Sequence, residues 1–308
     1  MGGITLFEGK PIEKLIEVIS QGIGTLYRPR AIRKEADAEA YKIQVLEKAK
    51  TIANAENKLI EFEMLGTIEQ KILFQEIRKQ NNIEHILEVA VEQINQEPEI
   101  SSKSVDPDWT TRFFNIAEDI SNDDMQKLWG RILSGEVKQP GSFSLRTLNL
   151  LKDLNKQEAE IFTKFAQLNV KHATGNFIPF IDINYFQEQL NIPYSEILLM
   201  SELGLLTSGN SLGLNFPALK EPMRLLYEIG ETGIYVTTNA HNKPHSLPIL
   251  AFTKIALELL TLIAIEINLE YATYVCKALS TPNTKIIVGT IINEEDKKRF
   301  NPSFEYSP

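Results

Sequence analysis

A chain of 308 residues, 43% hydrophobic and 24% charged, holds enough apolar material for one large or two ordinary domains and lacks the bias of a disordered protein. A formal net charge of −9 argues against a protein whose main work is to coat nucleic acid, which needs a basic surface, and leaves room only for a local basic patch. A single cysteine, Cys276, excludes an internal disulfide and a cysteine-based zinc site.

The opening MGGITLFEGK has neither the basic start nor the apolar run of a secretion signal, and Leu6 breaks the myristoylation pattern. Pro11 suits the first turn of a helix. Ile12, Leu15, Ile16, Ile19 and Ile23 then share one face, opposed by Glu13, Lys14 and Glu17. Arg28, Arg30, Arg33 and Lys34 follow at a corner marked by Pro29. An amphipathic helix beside a basic cluster suits an anionic membrane surface, but packing against the body or a sister subunit is the favoured reading. These nine residues are the candidate membrane or partner contacts.

From Ala31 to Gln80 proline is absent and Ala, Glu and Lys dominate, which favours long helix. The apolar stripe is thin, so such a helix must find a partner, and a homo-oligomer is expected. A clean amphipathic helix follows through Ile83, Ile86, Leu87, Ala90, Val91 and Ile94. The polar, proline-bearing stretch 98–108 reads as a linker, closing a first region of 1–97.

The densest pattern lies beyond it. Trp109, Phe113 and Ile116 line one helix face, and Leu128, Trp129, Ile132 and Leu133 line the next. Ser134-Gly135 and Pro140-Gly141 read as breaks. Leu145, Leu148 and Leu151 begin a third helix, and Asn155 with Glu158 forms a capping box for a fourth. The spacing assigns Trp109, Phe113, Leu128, Trp129, Leu133, Leu145, Leu148 and Leu151 to the core of a helical cluster, 109–170.

The segment DDMQKLWGRILSGEVKQPGSFSLRTLNLLKDLNKQEAEIF resembles uncharacterised bacterial proteins of the domain-of-unknown-function type. These are in turn distantly similar to the abortive-infection alpha group of phage-defence proteins. A second piece, FTKIALELLTLI (252–263), resembles a T-x-x-G-x-E-L segment of such proteins, with Ala256 where glycine is expected. The resemblance implies kinship and a defence role, with a phage-derived protein as trigger. It supplies no active site.

After residue 170 the period shortens. NFIPFI (176–181) reads as a strand, 184–190 and 195–203 as helices, and 205–216 as a hairpin turning at 208–211. That order is winged-helix-like. The supposed reading helix, SEILLMSEL, carries no Arg or Lys, so contact with nucleic acid is disfavoured there. Further strands are expected within 225–238, 247–252 and 285–292, helices at 253–263 and 269–279, and a loose tail. In Leu247–Ile267, Lys254, Glu258 and Glu266 interrupt what would otherwise be a membrane span.

No phosphate loop, dinucleotide turn, nucleophile elbow or zinc-protease motif is present. Asp106, Asp108, Glu118, Asp119, Asp123 and Asp124 are spaced as caps and a solvated face rather than as a metal cluster. His241 and His245 fall in a turn. The expectation is a mainly α protein with an α+β, winged-helix-like part at 171–308. It has no assigned catalytic residue, metal or cofactor, and is placed in the cytoplasm or peripherally at the inner membrane. It would act in defence by self-assembly and sensing. The alternatives are a regulator or adaptor binding nucleic acid or protein, and an enzyme such as a nuclease with an unrecognised site.

Overall fold

Two compact units divide the chain, 1–152 and 153–308. The computed structural model describes residues 10–24, 62–96, 101–173, 175–207, 212–241, 243–266, 268–294 and 297–307. The stretch 31–61, the basic corner and the turn at 208–211 lie outside the described residues.

The first unit is helical: α1 (Lys10–Ile23), α2 (Phe62–Gln96), α3 (Pro107–Ala117), α4 (Asp123–Lys138) and α5, which starts at Leu145 and ends at Asp153. α3 begins where Asp106 accepts from the amides of Asp108 (2.8 Å) and Trp109 (3.4 Å), with Pro107 in the first turn. Asn122 does the same for α4, accepting from Asp124 and Met125 at 3.1 Å each. These caps fix where each apolar stripe starts. Phe113 then stacks on Trp109 and meets Trp129 of α4, both with ring centroids 5.1 Å apart. Trp109, Phe113, Trp129, Leu133, Leu148 and Leu151 are buried, while Leu128 and Leu145 are half-buried.

Three expectations change here. Ser134-Gly135 does not end its helix, which runs on to Lys138. The two helices expected before and after residue 80 are one helix, α2, across the described part. The described part of the expected linker, 101–108, is no boundary either. The Ser101 amide donates to the Lys138 carbonyl at 2.9 Å, the Lys14 ammonium donates to the carbonyls of Ser101 and Lys103, and Val105 is buried. Paired backbone and a buried side chain hold this polar sequence to the unit; the division falls after Lys152 instead.

The second unit is α+β. α6 (Lys156–Gln167) opens with the expected capping box, Asn155 and Glu158 exchanging bonds of 2.9 Å with each other's amides. Strands β1 (Val170–His172) and β2 (Gly175–Pro179), a π turn at Tyr185–Gln189 and α7 (Tyr194–Glu202) follow. Next come β3 (Leu206–Thr207), β4 (Gly213–Phe216), β5 (Met223–Ile229), β6 (Thr232–Thr238) and β7 (His245–Phe252). Helices α8 (Lys254–Leu260) and α9 (Leu269–Leu279) precede β8 (Thr284–Glu294) and β9 (Lys297–Tyr306). The strands form one antiparallel sheet in the order β3-β7-β2-β1-β5-β6-β8-β9, with β4 also on β7. α9 is tied to this unit by two tyrosines: the Tyr271 hydroxyl donates to the Leu168 carbonyl at 2.6 Å, and that of Tyr274 to Pro179 at 3.3 Å.

The winged-helix-like order is not what this sheet makes. β3 and β4 do not pair as a hairpin; both lie antiparallel to β7, Leu206 facing Phe252 and Phe216 facing His245. Their hydrogen-bonding partner stands about thirty to forty-five residues away in sequence, beyond the reach of a local pattern. The tail is also a strand: β9 pairs along β8 from Lys297 to Tyr306. Phe300 stacks on Tyr235 of β6 at 5.7 Å, which gives that polar sequence an apolar anchor.

Candidate functional site

The motif LWGRILSGE is a packing code. Trp129, Ile132 and Leu133 fill the core of the first unit. Gly130 lets α4 approach α2 closely, since a Cβ there would lie 2.6 Å from that of Val89 and 2.7 Å from the Ile86 carbonyl oxygen. At Gly135 the missing Cβ leaves room for the Phe143 ring, to which it would come within 2.8 Å. Glu136, buried, accepts from the amides of Gly141 (2.6 Å) and Phe143 (3.0 Å), so its carboxylate ties down the Pro-Gly-Ser turn. The segment that carries the family resemblance therefore builds a scaffold.

The residues assigned to membrane or partner contact divide in two. Ile12, Leu15 and Ile19 are buried, Ile16 and Ile23 half-buried, with α1 packed mainly against α3 and also against α4 and α2. That apolar face is used within the unit, so the packing reading replaces a membrane face for these side chains. Arg28, Arg30, Arg33 and Lys34 lie outside the described residues. No described helix is long and apolar enough to cross a membrane.

The acidic residues act locally. Asp106 caps α3, Glu118 pairs with Lys79 at 2.6 Å, Asp119 with Arg78 at 3.5 Å, and Asp124 with Lys127 at 3.4 Å. Among the described residues no three His, Cys, Asp or Glu side chains cluster as metal ligands. The Cys276 thiol is buried, and burial pushes its pKa up to about 12, which leaves it without nucleophilic thiolate.

Two features stand out as surfaces for function. The first is the amino-terminal half of α2. Residues 71–78 are all exposed, and Ile68, Ile72, Leu73, Phe74 and Ile77 present large apolar side chains to solvent, Phe74 at 71% and Ile77 at 50%. The carboxy-terminal half of the same helix buries Ile83, Ile86, Leu87, Ala90, Val91 and Ile94, chiefly against α4. A run of apolar side chains on most sides of an exposed helix is the pattern of an element meant to be covered.

The second is a small cleft in the second unit, at the ends of its strands. Leu219, Met223, Leu225, Tyr227, Val236 and Leu279 give it an apolar wall, and His241 and His245 stand among them. The His245 ring stacks on Phe216 at 4.7 Å and lies 5.8 Å from that of His241. Burial, then the neighbouring His241, hold the His245 pKa below its ordinary value, so this imidazole is neutral at physiological pH. The sequence showed the two histidines but not Phe216 and Met223 beside them, which arrive from other strands. The bare end of α2 was legible only as apolar residues that fit no single stripe.

No curated protein and no solved structure matches the chain. The expected likeness to the abortive-infection alpha group finds no support in these comparisons. One family model, described as "Protein of unknown function (DUF2806)", matches residues 67–276, from the bare end of α2 to the buried cysteine of α9. That match covers more than half of the sequence, and the chain belongs to this family.

Proposed function

We propose that this protein acts by self-assembly through the amino-terminal half of α2, and that the assembly serves antiviral defence of the abortive-infection kind. The exposed cluster Ile68, Ile72, Leu73, Phe74 and Ile77 carries the reading. Complete burial of such a side chain stabilises by roughly 1.5–3 kcal/mol, and about half of that is still unrealised at these exposures. Five of them leave on the order of 5 kcal/mol per chain for a covering surface.

A second copy is the occupant the charges favour. Glu69 and Glu76 lie two turns apart on one flank of the helix, and Lys71 and Arg78 on nearly the opposite flank. With Lys79, the segment from Ile68 to Lys79 is close to neutral, in a chain whose net charge is −9. Copies meeting here avoid the repulsion that the rest of the surface would impose, and each brings both signs to the contact. The defence role rests on the sequence resemblance, and sensing of a phage-derived trigger is assigned to the second unit. Nucleic-acid reading by α7 is not favoured, because that helix contributes Glu196 and Glu202 and no Arg or Lys.

The test is to express the full chain and its Phe74→Glu/Ile77→Glu variant in a bacterial host challenged with a phage panel. Fewer plaques with the unaltered chain, restored by the variant at equal protein level, is the expected result. Full plating on every phage would overturn the defence role.

A further inference from the structure

Four separate elements line one cleft of the second unit. Phe216 closes β4, Met223 opens β5, His241 follows β6, and His245 opens β7. Their positions are set by backbone pairing. Phe216 is in register with His245 and Met223 with Thr238, while the amide and carbonyl of His241 exchange bonds of 2.9 Å with those of Leu219. We propose that Met223, His241 and His245 form a binding site for cuprous ion.

The spacing of the rings is the first support. A metal–imidazole bond of about 2.0 Å places the ring centroid about 3.1 Å from the ion. Two rings whose centroids are 5.8 Å apart are therefore close enough to share one ion when a nitrogen of each turns toward it, with an angle of roughly 130–140° between them. That is wider than the tetrahedral angle of a closed zinc site, and suits an ion held by two or three ligands.

The donor set is the second support. Met223 lines the same cleft as the two histidines and offers a thioether, a soft ligand that selects Cu(I) and is indifferent to Mg2+ and Ca2+. Among the described residues no carboxylate or thiolate lines the cleft, so a hard dication meets no anionic ligand from them.

The surroundings are the third. Phe216 covers one face of the His245 ring, and Leu219, Leu225 and Leu279 wall the cleft, an apolar shell that suits an ion of low charge. Thr238 and Thr284 line it too, the Thr284 hydroxyl held by Thr281, whose amide donates to it at 2.7 Å and whose carbonyl accepts from it at 2.9 Å. The assignment does not depend on self-assembly.

The experiment titrates the full chain with Cu(I) under anaerobic conditions against a chromogenic Cu(I) chelator, in a Cys276→Ala background that removes the only thiol. The expected result is one equivalent of copper withheld from the chelator. Met223→Leu keeps the side-chain volume and so the fold. It should weaken retention by about a hundredfold, at the upper end of the ten- to hundredfold that follows loss of a ligand's outer partner. His241→Gln/His245→Gln should abolish retention, with circular dichroism confirming the fold of both variants. Absence of any withheld copper would overturn the assignment, as would retention unchanged in either variant, or zinc held as tightly as copper and insensitive to Met223→Leu.

Discussion

Gly130→Ala puts two opposing effects in one substitution. Within a helix, alanine is favoured over glycine by about 1 kcal/mol, so on an open helix face the change would stabilise. In α4 the new methyl would sit 2.6 Å from the Val89 Cβ and 2.7 Å from the Ile86 carbonyl oxygen. Both neighbours are fixed to the α2 backbone, so no rotamer change clears them. The helices must separate by a few tenths of an ångström or more, loosening the layer that contains Trp129 and Ile132. Overpacking of this kind costs about 1–3 kcal/mol before lost contacts are added. The sum favours the clash: a net loss of about 2 kcal/mol, or a fall of roughly 4–8 °C in the Tm of a unit this size. Trp109 and Trp129 are the only tryptophans and both lie in the first unit, so their fluorescence on heating reports that unit alone. The cost should shrink in a Val89→Gly background, because the pair is in contact. A neutral or stabilising Gly130→Ala would refute the close approach of α2 and α4.

Other outcomes follow from single groups. Glu136→Gln leaves the amide of Gly141 or Phe143 facing an NH2 donor and removes the charge, and should cost the first unit about 2–3 kcal/mol in urea unfolding; a change below about 0.5 kcal/mol would dismiss the turn clamp. Cys276 should resist alkylation in the native protein at mildly alkaline pH and react at once in denaturant; rapid native labelling would contradict its burial. His172 stacks on Tyr227 at 4.6 Å, and burial lowers its pKa in the folded state. The unfolded chain therefore takes up that proton first. The contribution is complete above the unfolded pKa of 6.5 and declines as pH falls below it, until the folded pKa is passed. His172→Phe should flatten that decline in unfolding followed by circular dichroism, and an unchanged slope would remove His172 from the account.

What the sequence revealed was what short-range chemistry decides. Asn155 and Glu158 sit three residues apart and cap each other, so four letters were enough. Trp109, Phe113, Trp129, Leu148 and Leu151 repeat at helical spacing and are buried as that period requires. Gly135 misled because its cost to helix propensity is outweighed by the Phe143 ring it admits. For α1, periodicity identified the apolar face correctly but could not say what covers it; among the described elements α3 does so most. The pairing of β3 and β4 with β7, the strand in the tail, and the meeting of Met223 with His241 and His245 all join residues distant in sequence. Local pattern has no access to them.

The central claim is that the bare end of α2 joins one copy of this chain to another. The most direct test is the molar mass in solution, by light scattering on eluting protein, of the unaltered chain and of Phe74→Glu/Ile77→Glu. Placing two charges in an apolar contact should dissociate it without unfolding side chains that are already exposed. The account predicts a multiple of 34.9 kDa for the unaltered chain and 34.9 kDa for the variant, with identical circular dichroism. An unaltered chain that elutes as a 34.9 kDa monomer, or a variant that keeps the full assembly mass, would contradict it.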